Sequence, residues 1–423
     1  MDALAVLRAP AAVLAAPSLL LFMALPARAE GRLQSLGLED AVRLALQHSV
    51  DSRGAEEDVR SARGALAQAR VLPNPSLFVS SLDRGLSPVE AAAPNQFGVT
   101  WTLPIGGKRA AGIDAASAAV DAAQATRIAA RRQVAHSVET AFIAVLLDQA
   151  QLAFADEAQL GIHKALELNE LRYKDGKIAY GDVLKIRIQS RTGDDTVRQD
   201  ELTLANDRAE LARLVGEGIL ADDFKLVGNL AVPALRGDEL TAEQVLDRAL
   251  KNRTDYLALL AQERSGQGAL RQARRQPIPD LGILFDYNRI PGEAGSYDVQ
   301  LSAAIPLFDR NSGSVTQADA ALRKARLASE GMRVQIRADA YKAVKAWETS
   351  RARLKVYDQE LLSAATESLD ISRHAYEEGR GTLLDYLDAE SSYRDVESAY
   401  RSAVADAMNA AVSLRFAAGE DLP

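Results

Sequence analysis

Two carboxylates near the C-terminus have a spacing that would suit ion chemistry. Asp385 and Asp388 are three residues apart, so a helix would carry both of them on one face. If that face lined a pore, the carboxylates would attract cations and disfavour anions. Crowding of like charges would also raise their pKa values and make the pore sensitive to pH or to bound cations. If the face met only solvent, the same pair would be an ordinary charged surface.

Other kinds of site chemistry have little support in the sequence. The chain has no Cys, which excludes disulfides, thiolate ligands, a catalytic Cys and lipid attachment through Cys. Its four His residues are far apart, at His48, His136, His163 and His374. No nucleophile, base and orienting group form a recognisable set, and the run Gly106-Gly107-Lys108-Arg109 lacks the spacing of a phosphate-binding loop. We therefore expect no enzyme activity, no cofactor and no metal site.

Charge and the N-terminus indicate an exported protein that does not bind nucleic acid. The chain has 50 basic and 58 acidic residues, a net charge of −8, which argues against a general nucleic-acid binder. Arg8 precedes an apolar run over residues 11–26, and Ala27-Arg28-Ala29 follows as a small-x-small cleavage site. Residues 1–29 are thus predicted to be a signal peptide, and the mature chain to begin at Glu30. The run is short for a membrane anchor, and no other apolar run is long enough to span a membrane as a helix.

The elements that would position the two carboxylates occur twice along the chain. Pro73-Asn74-Pro75 recurs as Pro277-Ile278-Pro279, and four further residues recur in nearly the same register: Tyr173, Gly176, Asp182 and Leu184 match Tyr376, Gly379, Asp385 and Leu387. A register that holds across most of each half indicates an internal duplication. We predict a first repeat over residues 30–230 and a second repeat over residues 231–423.

Each repeat is predicted to contain a helix followed by a pair of strands. The first helix should run from Leu38 to Arg70 and stop at the prolines. Strand pairs are expected at about residues 76–105 and 280–307, because apolar and polar residues alternate there with a period of two. Phe97, Val99 and Trp101, for example, would share one face of a strand.

A long helical hairpin should follow each strand pair. No Pro occurs between Ile105 and Val232 or between Leu307 and Leu422, and strong helix formers fill both stretches. Gly176 and Gly379 fall near the middle of these stretches and mark the predicted hairpin tips. The first arm, of roughly 65 residues, would be about 100 Å long. Such a helix requires a coiled-coil or helical-tube geometry.

Four strands with apolar outer faces cannot close a barrel in a membrane by themselves. A sheet in lipid must close completely, and known barrels need at least about 8 strands. Several chains would therefore each contribute four strands, and a trimer would supply twelve. A soluble four-stranded sheet with one buried face remains the alternative at this point.

The order of signal peptide, helix, strand pair and helical hairpin, all duplicated, resembles the TolC family of outer-membrane efflux proteins. Three local segments carry the resemblance: Leu72-Pro73-Asn74-Pro75 before the first strand, Leu103-Pro104-Ile105-Gly106-Gly107-Lys108-Arg109 at the strand-to-helix junction, and the tip segment from Gly379 to Ala389. The junction is similar to that of the heavy-metal, CzcC-like branch. The resemblance implies a mainly α-helical homotrimer with a 12-stranded barrel in the outer membrane and a helical tube in the periplasm.

The resemblance also implies partners and functional positions. The partners would be a periplasmic adaptor, an inner-membrane pump of the resistance-nodulation-division type and outer-membrane lipid. The implied gate consists of Asp385 and Asp388, with Tyr376 and Asp182 linking neighbouring helices. Gly381 stands where the best-known member has a gating Arg, and Arg380 lies one place earlier. The implied docking tip for the adaptor comprises six residues: Gly176, Lys177, Ile178, Gly379, Gly381 and Thr382.

The leading hypothesis is therefore an exit duct of a tripartite efflux system that exports heavy-metal cations. A second hypothesis keeps the fold but changes the cargo to drugs, other small organic molecules or a type I secreted protein. A third is a periplasmic coiled coil or adhesin without a pore.

Overall fold

The computed structural model describes residues 33–80, 96–216, 220–231, 241–289, 294–357 and 359–420. The predicted signal peptide over residues 1–29 and the predicted mature start at Glu30 lie outside these ranges. Residues 81–95 of the first predicted strand pair and residues 232–240, just after the predicted repeat boundary, also lie outside them.

The described part of the chain is mainly α-helical. Its helices are α1 (Leu38–His48), α2 (Val50–Arg70), α3 (Lys108–Lys174), α4 (Tyr180–Val215), α5 (Ala242–Asn252), α6 (Thr254–Arg275), α7 (Ser312–Val356), α8 (Gln359–Glu377) and α9 (Leu383–Ala418). Its strands are β1 (Leu33–Gly37), β2 (Ser76–Ser80), β3 (Gln96–Leu103), β4 (Leu220–Val227), β5 (Leu281–Asn288) and β6 (Ser296–Ala303).

The strands β2, β3, β5 and β6 form one antiparallel sheet in that order. The β3–β5 pair joins the two halves of the chain over eight residues of register, from Gln96 opposite Asn288 to Leu103 opposite Leu281. Val99, Phe285 and Val299 lie side by side across the sheet and are 41%, 50% and 67% exposed. The predicted period-two alternation is confirmed, and it leaves a continuous apolar face uncovered by the chain itself.

A second, smaller sheet was not predicted from the sequence. β1 pairs in parallel with β4. β1 directly precedes α1, and β4 follows the C-terminal end of α4. Leu36 and Phe224 of these strands are buried in a core with Val138 and Phe142 of α3 and Leu211 of α4. The two strands tie the start of the first half to its end.

The predicted single helix from Leu38 to Arg70 is two helices. Ser49 between α1 and α2 is extended (φ −61°, ψ 140°), and its side chain accepts a hydrogen bond from the Ser52 backbone N–H at 3.1 Å. A Ser side chain that caps a new helix competes with continuing the old one, which explains the break. The second half breaks at the equivalent place, Arg253, between α5 and α6.

α3 has the bounds that the proline-free stretch predicts, and its 67 residues correspond to about 100 Å of helix. Within the described chain, it is the one helix long and apolar enough to cross a membrane by length and composition. The sequence-based expectation that no apolar run after the signal peptide is long enough to span a membrane is therefore only partly met. α3 packs along α2, α4, α6 and α9, so its apolar residues serve helix packing.

The second hairpin differs from the first because its first arm is interrupted. α7 ends at Val356, Tyr357 leaves the helical conformation (φ −95°, ψ 50°), and α8 begins at Gln359. Neither Pro nor Gly marks this break in the sequence. A second core forms around α5, α7 and α9, where Val245, Trp347 and Leu414 are buried together. Each half of the chain thus has its own core in addition to the shared sheet.

Candidate gate and docking tip

The two hairpin tips are built by the same helix-terminating motif. Gly176 and Gly379 both adopt left-handed backbone conformations, with φ of 71° and 75°. The backbone N–H of Lys177 donates to the Arg172 carbonyl at 2.8 Å, and that of Arg380 donates to the Ala375 carbonyl at 2.9 Å. These bonds, each from an N–H to the carbonyl five residues earlier, define a Schellman ending, for which glycine is favoured. The motif turns the chain at corresponding points of the two halves.

The second tip continues into a capped helix that carries both candidate carboxylates. The backbone N–H of Thr382 donates to Asp385 Oδ2 at 3.2 Å, and the Asp385 N–H donates to Thr382 Oγ1 at 3.2 Å. The Thr382 hydroxyl adds a bond to the same carboxylate oxygen at 2.7 Å. These hydrogen bonds lower the pKa of Asp385. Within one chain, Asp385 is therefore held ionised, and Asp388 is exposed one turn further along α9.

Tyr376 is the centre of a buried contact between the two hairpins. Its side chain is 5% exposed, and its hydroxyl donates to Asn169 Oδ1 on α3. Its ring stacks on that of Tyr386, with centroids 5.6 Å apart. Burial raises the pKa of Tyr386. The cluster also includes the buried Ile186 and Leu383, so all four tip helices contribute to it.

Arg172 reinforces this contact from the end of α3. Its guanidinium donates to the backbone carbonyls of Tyr376 at 3.1 Å and Glu377 at 2.7 Å. The same group lies 4.9 Å from the centroid of the Tyr376 ring, within cation–π range. Asn169 and Arg172 were missed in the sequence because their partners are about two hundred residues away. Asn169 in an otherwise regular helix was the one available signal.

Other predicted gate residues have different partners within the chain. Asp182 lies in the first turn of α4, and its Oδ1 accepts a hydrogen bond from Lys185 Nζ at 3.3 Å. Within the described part of the chain, the Tyr376 hydroxyl bonds to Asn169 and not to Asp182. Arg380 forms an ion pair with Glu378. A Cβ added at Gly381 would lie 3.1 Å from the Ala375 Cβ, so a side chain here would press on the end of α8. Gly381 therefore fits this position better than a residue with a side chain, such as the Arg of the family pattern, would fit it.

The remaining tip residues form an exposed rim. Gly176, Lys177, Gly379 and Thr382 are exposed, while Ile178 and Gly381 are half-buried. The ammonium group of Lys177 is 3.1 Å from Asp175 Oδ2. The accessible groups of the rim thus include the backbone of the two glycines, the ammonium group of Lys177 and part of the aliphatic side chain of Ile178.

Carboxylates also gather between α3 and α4, well away from the tip. Asp148 and Asp200 line a cavity of about 500 Å³, together with Gln159 and Asp395. Burial, together with the neighbouring carboxylates of Asp207 and Asp200, raises the pKa of Asp148 to about 7. Asp148 therefore keeps its proton to a higher pH than an ordinary Asp does.

The turn between strand β3 and helix α3 is held in place by contacts with the second half of the chain. Gly106 and Gly107 both have positive φ, 67° and 74°. The Lys108 ammonium group is 2.8 Å from Asp280 Oδ1, and Arg275 of the other half donates to the Gly106 carbonyl at 2.7 Å. A Cβ at Gly106 would lie 2.5 Å from Ile278. The Gly106-Gly107-Lys108 run therefore has a structural role, because it binds the segment around Pro104 to the segment around Pro277 and Pro279.

Across the described residues, no group of three or more His, Asp or Glu side chains is placed to hold a metal ion. The tip and the cavity therefore offer charge and hydrogen bonds, not a closed ligand set.

An antiparallel sheet with an uncovered apolar face, joined to paired long helices in each half, is the architecture of an outer-membrane channel. The family profile described as "Outer membrane efflux protein" matches residues 41–217 and 245–420, one segment in each half. The chain belongs to this family. The duplicated TolC-like fold predicted from the sequence is thus confirmed, and the chain is an outer-membrane efflux protein of a Gram-negative envelope rather than an enzyme.

Similar proteins include two metal-resistance proteins. The chain is 28% identical over 359 residues to the cobalt-zinc-cadmium resistance protein CzcC of Cupriavidus metallidurans, covering 84% of this chain and 83% of CzcC. It is 27% identical over 277 residues to the nickel-cobalt-cadmium resistance protein NccC of Alcaligenes xylosoxydans xylosoxydans, covering 63% and 59%. The crystal structure of the Campylobacter jejuni CmeC outer membrane channel matches with a TM-score of 0.77 at 16% identity, over 90% of this chain and 85% of CmeC.

Proposed function

We propose that this chain is the exit duct of a tripartite pump that exports heavy-metal cations. Three copies would combine their four-stranded sheets into a 12-stranded barrel and their hairpins into a periplasmic tube. A periplasmic adaptor and an inner-membrane pump of the resistance-nodulation-division type would deliver the cargo and the energy.

The similarity to CzcC carries the choice of cargo, because it extends over 84% of the chain and 83% of a metal-resistance protein. NccC, whose name states resistance to nickel, cobalt and cadmium, agrees with it. The family assignment favours a channel over a coiled coil without a pore. Export of drugs, other small organic molecules or a secreted protein through the same fold is the competing proposal.

A toxicity panel on a strain that lacks this gene tests the cargo. It should cover zinc, cobalt, cadmium, nickel, copper and silver, with several lipophilic drugs as the matched comparison. We expect selective sensitivity to metals, reversed by the wild-type gene. Sensitivity to drugs alone would reject the metal cargo and leave the duct standing.

We propose that Asp385 and Asp388 form the constriction, with Tyr376, Asp182 and Arg380 stabilising the helices around it. Threefold symmetry would turn the two carboxylates into two rings, which attract cations. Block of single-channel current by multivalent cations tests this. Asp385→Ala/Asp388→Ala should lose the block, whereas Asp121→Ala, an exposed carboxylate on α3, should keep it. Unchanged block in the double variant would reject the assignment.

We propose that the rim of Gly176, Lys177, Ile178, Gly379, Gly381 and Thr382 docks the adaptor. Because the chain has no Cys, Ile178→Cys introduces a single reactive position. We expect it to cross-link to the adaptor in cells. Ile128→Cys, a 45% exposed position in the half of α3 nearer the sheet, should remain unlinked. Equal cross-linking from both positions would contradict tip docking.

We also propose that residues 1–29 are a cleaved signal peptide and that the repeats span residues 30–230 and 231–423. The two separate family segments, one within each proposed repeat, support the boundary. N-terminal sequencing of the mature protein should identify Glu30 as its first residue.

A further inference from the structure

A cluster of oxygen-bearing side chains lies on the polar face of the sheet, at the end remote from the helices. Asp286 on β5 lies directly opposite Asp298 on β6. The Asn288 amide donates to Asp286 Oδ2 and to Asp298 Oδ2, both at 2.9 Å. The Gln96 amide donates to Asp286 Oδ2 at 2.7 Å, and the Ser80 hydroxyl donates to Gln96 Oε1 at 2.7 Å. All four strands of the sheet therefore contribute a polar side chain.

Asp286 is enclosed although it stands on the face of a sheet. It is only 2% exposed, and its Oδ1 atom has no hydrogen-bond partner. Gly98, the residue opposite it on β3, explains the enclosure. A Cβ at Gly98 would lie 2.4 Å from the Phe78 ring and 2.8 Å from the Asp286 Cβ, so the ring and the Asp side chain occupy that space. A buried carboxylate oxygen without a partner costs free energy, which points to a ligand that satisfies it.

The charges of the sheet do not balance within the strands. The strands β2, β3, β5 and β6 contain two carboxylates and no Lys or Arg. Like charges directly opposite each other on neighbouring strands are destabilising. Asn288 and Gln96 supply only neutral donors, and Oδ1 of Asp286 receives none of them.

We infer that this cluster binds a hard divalent cation, Ca²⁺ being the best match. Carboxylate, amide and hydroxyl oxygens completed by water are the ligands that Ca²⁺ and Mg²⁺ select. Asp286 and Asp298 would supply the charge. Asn288 and Gln96 would turn their amide oxygens toward the ion, a half-turn that exchanges two atoms of nearly equal size. Ca²⁺ tolerates such irregular geometry better than Mg²⁺ does.

The ion would have a structural role, separate from the exported cargo. The imidazole and thiolate ligands preferred by zinc or cobalt are missing from this cluster. An ion held by residues of β3, β5 and β6 would fasten the β3–β5 pair that joins the two halves of the chain. With two charged ligands, we expect a dissociation constant of about 10⁻⁴–10⁻³ M, the range of extracellular Ca²⁺ modules.

Calcium titration of the purified full-length protein in detergent tests the inference. Wild type should show one saturable Ca²⁺ site per chain. Asp286→Asn and Asp298→Asn should each weaken binding at least about tenfold, because affinity follows the number of charged ligands. Asp58→Asn removes an exposed carboxylate of α2 and should leave the affinity unchanged.

A wild-type protein without saturable Ca²⁺ binding would overturn the inference. So would unchanged affinity in both sheet variants, since the ion would then lie elsewhere. Asp298 is exposed, so Asp298→Asn should fold normally and keeps the test decisive if Asp286→Asn does not fold. The readout does not involve efflux, so its failure would leave the proposed exit duct untouched.

Discussion

The hydroxyl group of Tyr376 makes a buried hydrogen bond that joins the two hairpins near their tips. Its acceptor, Asn169, is fully buried and also donates to the Ala165 carbonyl at 2.7 Å. Arg172 holds the backbone beside it. The two hairpins are therefore joined at their tips by contacts within one chain, with Gly rather than Arg at position 381.

Tyr376→Phe should loosen this contact. The variant leaves the Asn169 carbonyl oxygen buried without a donor, which costs about 1–3 kcal/mol. We expect a channel that leaks in its resting state. Cells producing the variant should become more sensitive to a large antibiotic that the outer membrane normally excludes.

Tyr341→Phe provides the control, because Tyr341 is 57% exposed on α7. Its antibiotic sensitivity should match wild type. Adding Tyr376→Phe to Asn169→Ala should have little further effect, because Asn169→Ala already removes the acceptor of the Tyr376 hydroxyl. Additive effects, or equal sensitivity of Tyr376→Phe and Tyr341→Phe, would refute a role for this bond in closure.

At the scale of elements, the pairing of α3 with α4 should depend on pH. Asp148 has its pKa raised from 3.8 to about 7 by burial, with Asp207 and Asp200 adding to the effect. The folded chain therefore keeps a proton that the unfolded chain releases. The stability due to Asp148 is complete at acid pH and is lost as pH rises through about 7.

Asp148→Asn should remove this dependence, because the amide resembles the protonated carboxyl group. We expect its melting temperature in detergent to fall less than that of wild type between about pH 5 and about pH 8. Burial also raises the pKa of Glu139 and Glu390, so part of the slope should remain in both proteins. Parallel pH profiles for wild type and Asp148→Asn would contradict the assignment.

The elements differ in how far the sequence could predict them. The sheet was predictable because alternation along β3 and β5 encodes both the strand and the face it presents. α3 was predictable because one proline-free stretch spans it. The breaks at Ser49 and Tyr357 were not, since a side-chain cap or a local φ change leaves the helical pattern intact. The hydrogen bond between Asn169 and Tyr376 was not predictable, because only the folded chain brings these two residues together.

At the scale of the whole molecule, the uncovered sheet face must meet lipid if the chains assemble into a barrel. Leu301 is 70% exposed on the apolar face, and Gln300 is its neighbour on the polar face. A positive charge on the lipid face costs about 2–4 kcal/mol at the bilayer midplane, whereas lumen substitutions are tolerated.

Leu301→Arg should therefore reduce the amount of assembled, heat-modifiable trimer in the outer membrane. Gln300→Arg should assemble like wild type, because its side chain faces the opposite side of the sheet. Gel mobility of unheated and heated outer membranes measures both. Equal assembly of the two variants would mean that the apolar face does not meet lipid.

Transport of a radioactive metal measures the proposed exit duct most directly. Cells that contain the cognate pump and adaptor, with or without this gene, would be loaded with labelled zinc or cobalt and followed during efflux. We predict that deletion slows metal efflux and that the wild-type gene restores it. Identical efflux with and without the gene, for every metal tested, would contradict the account.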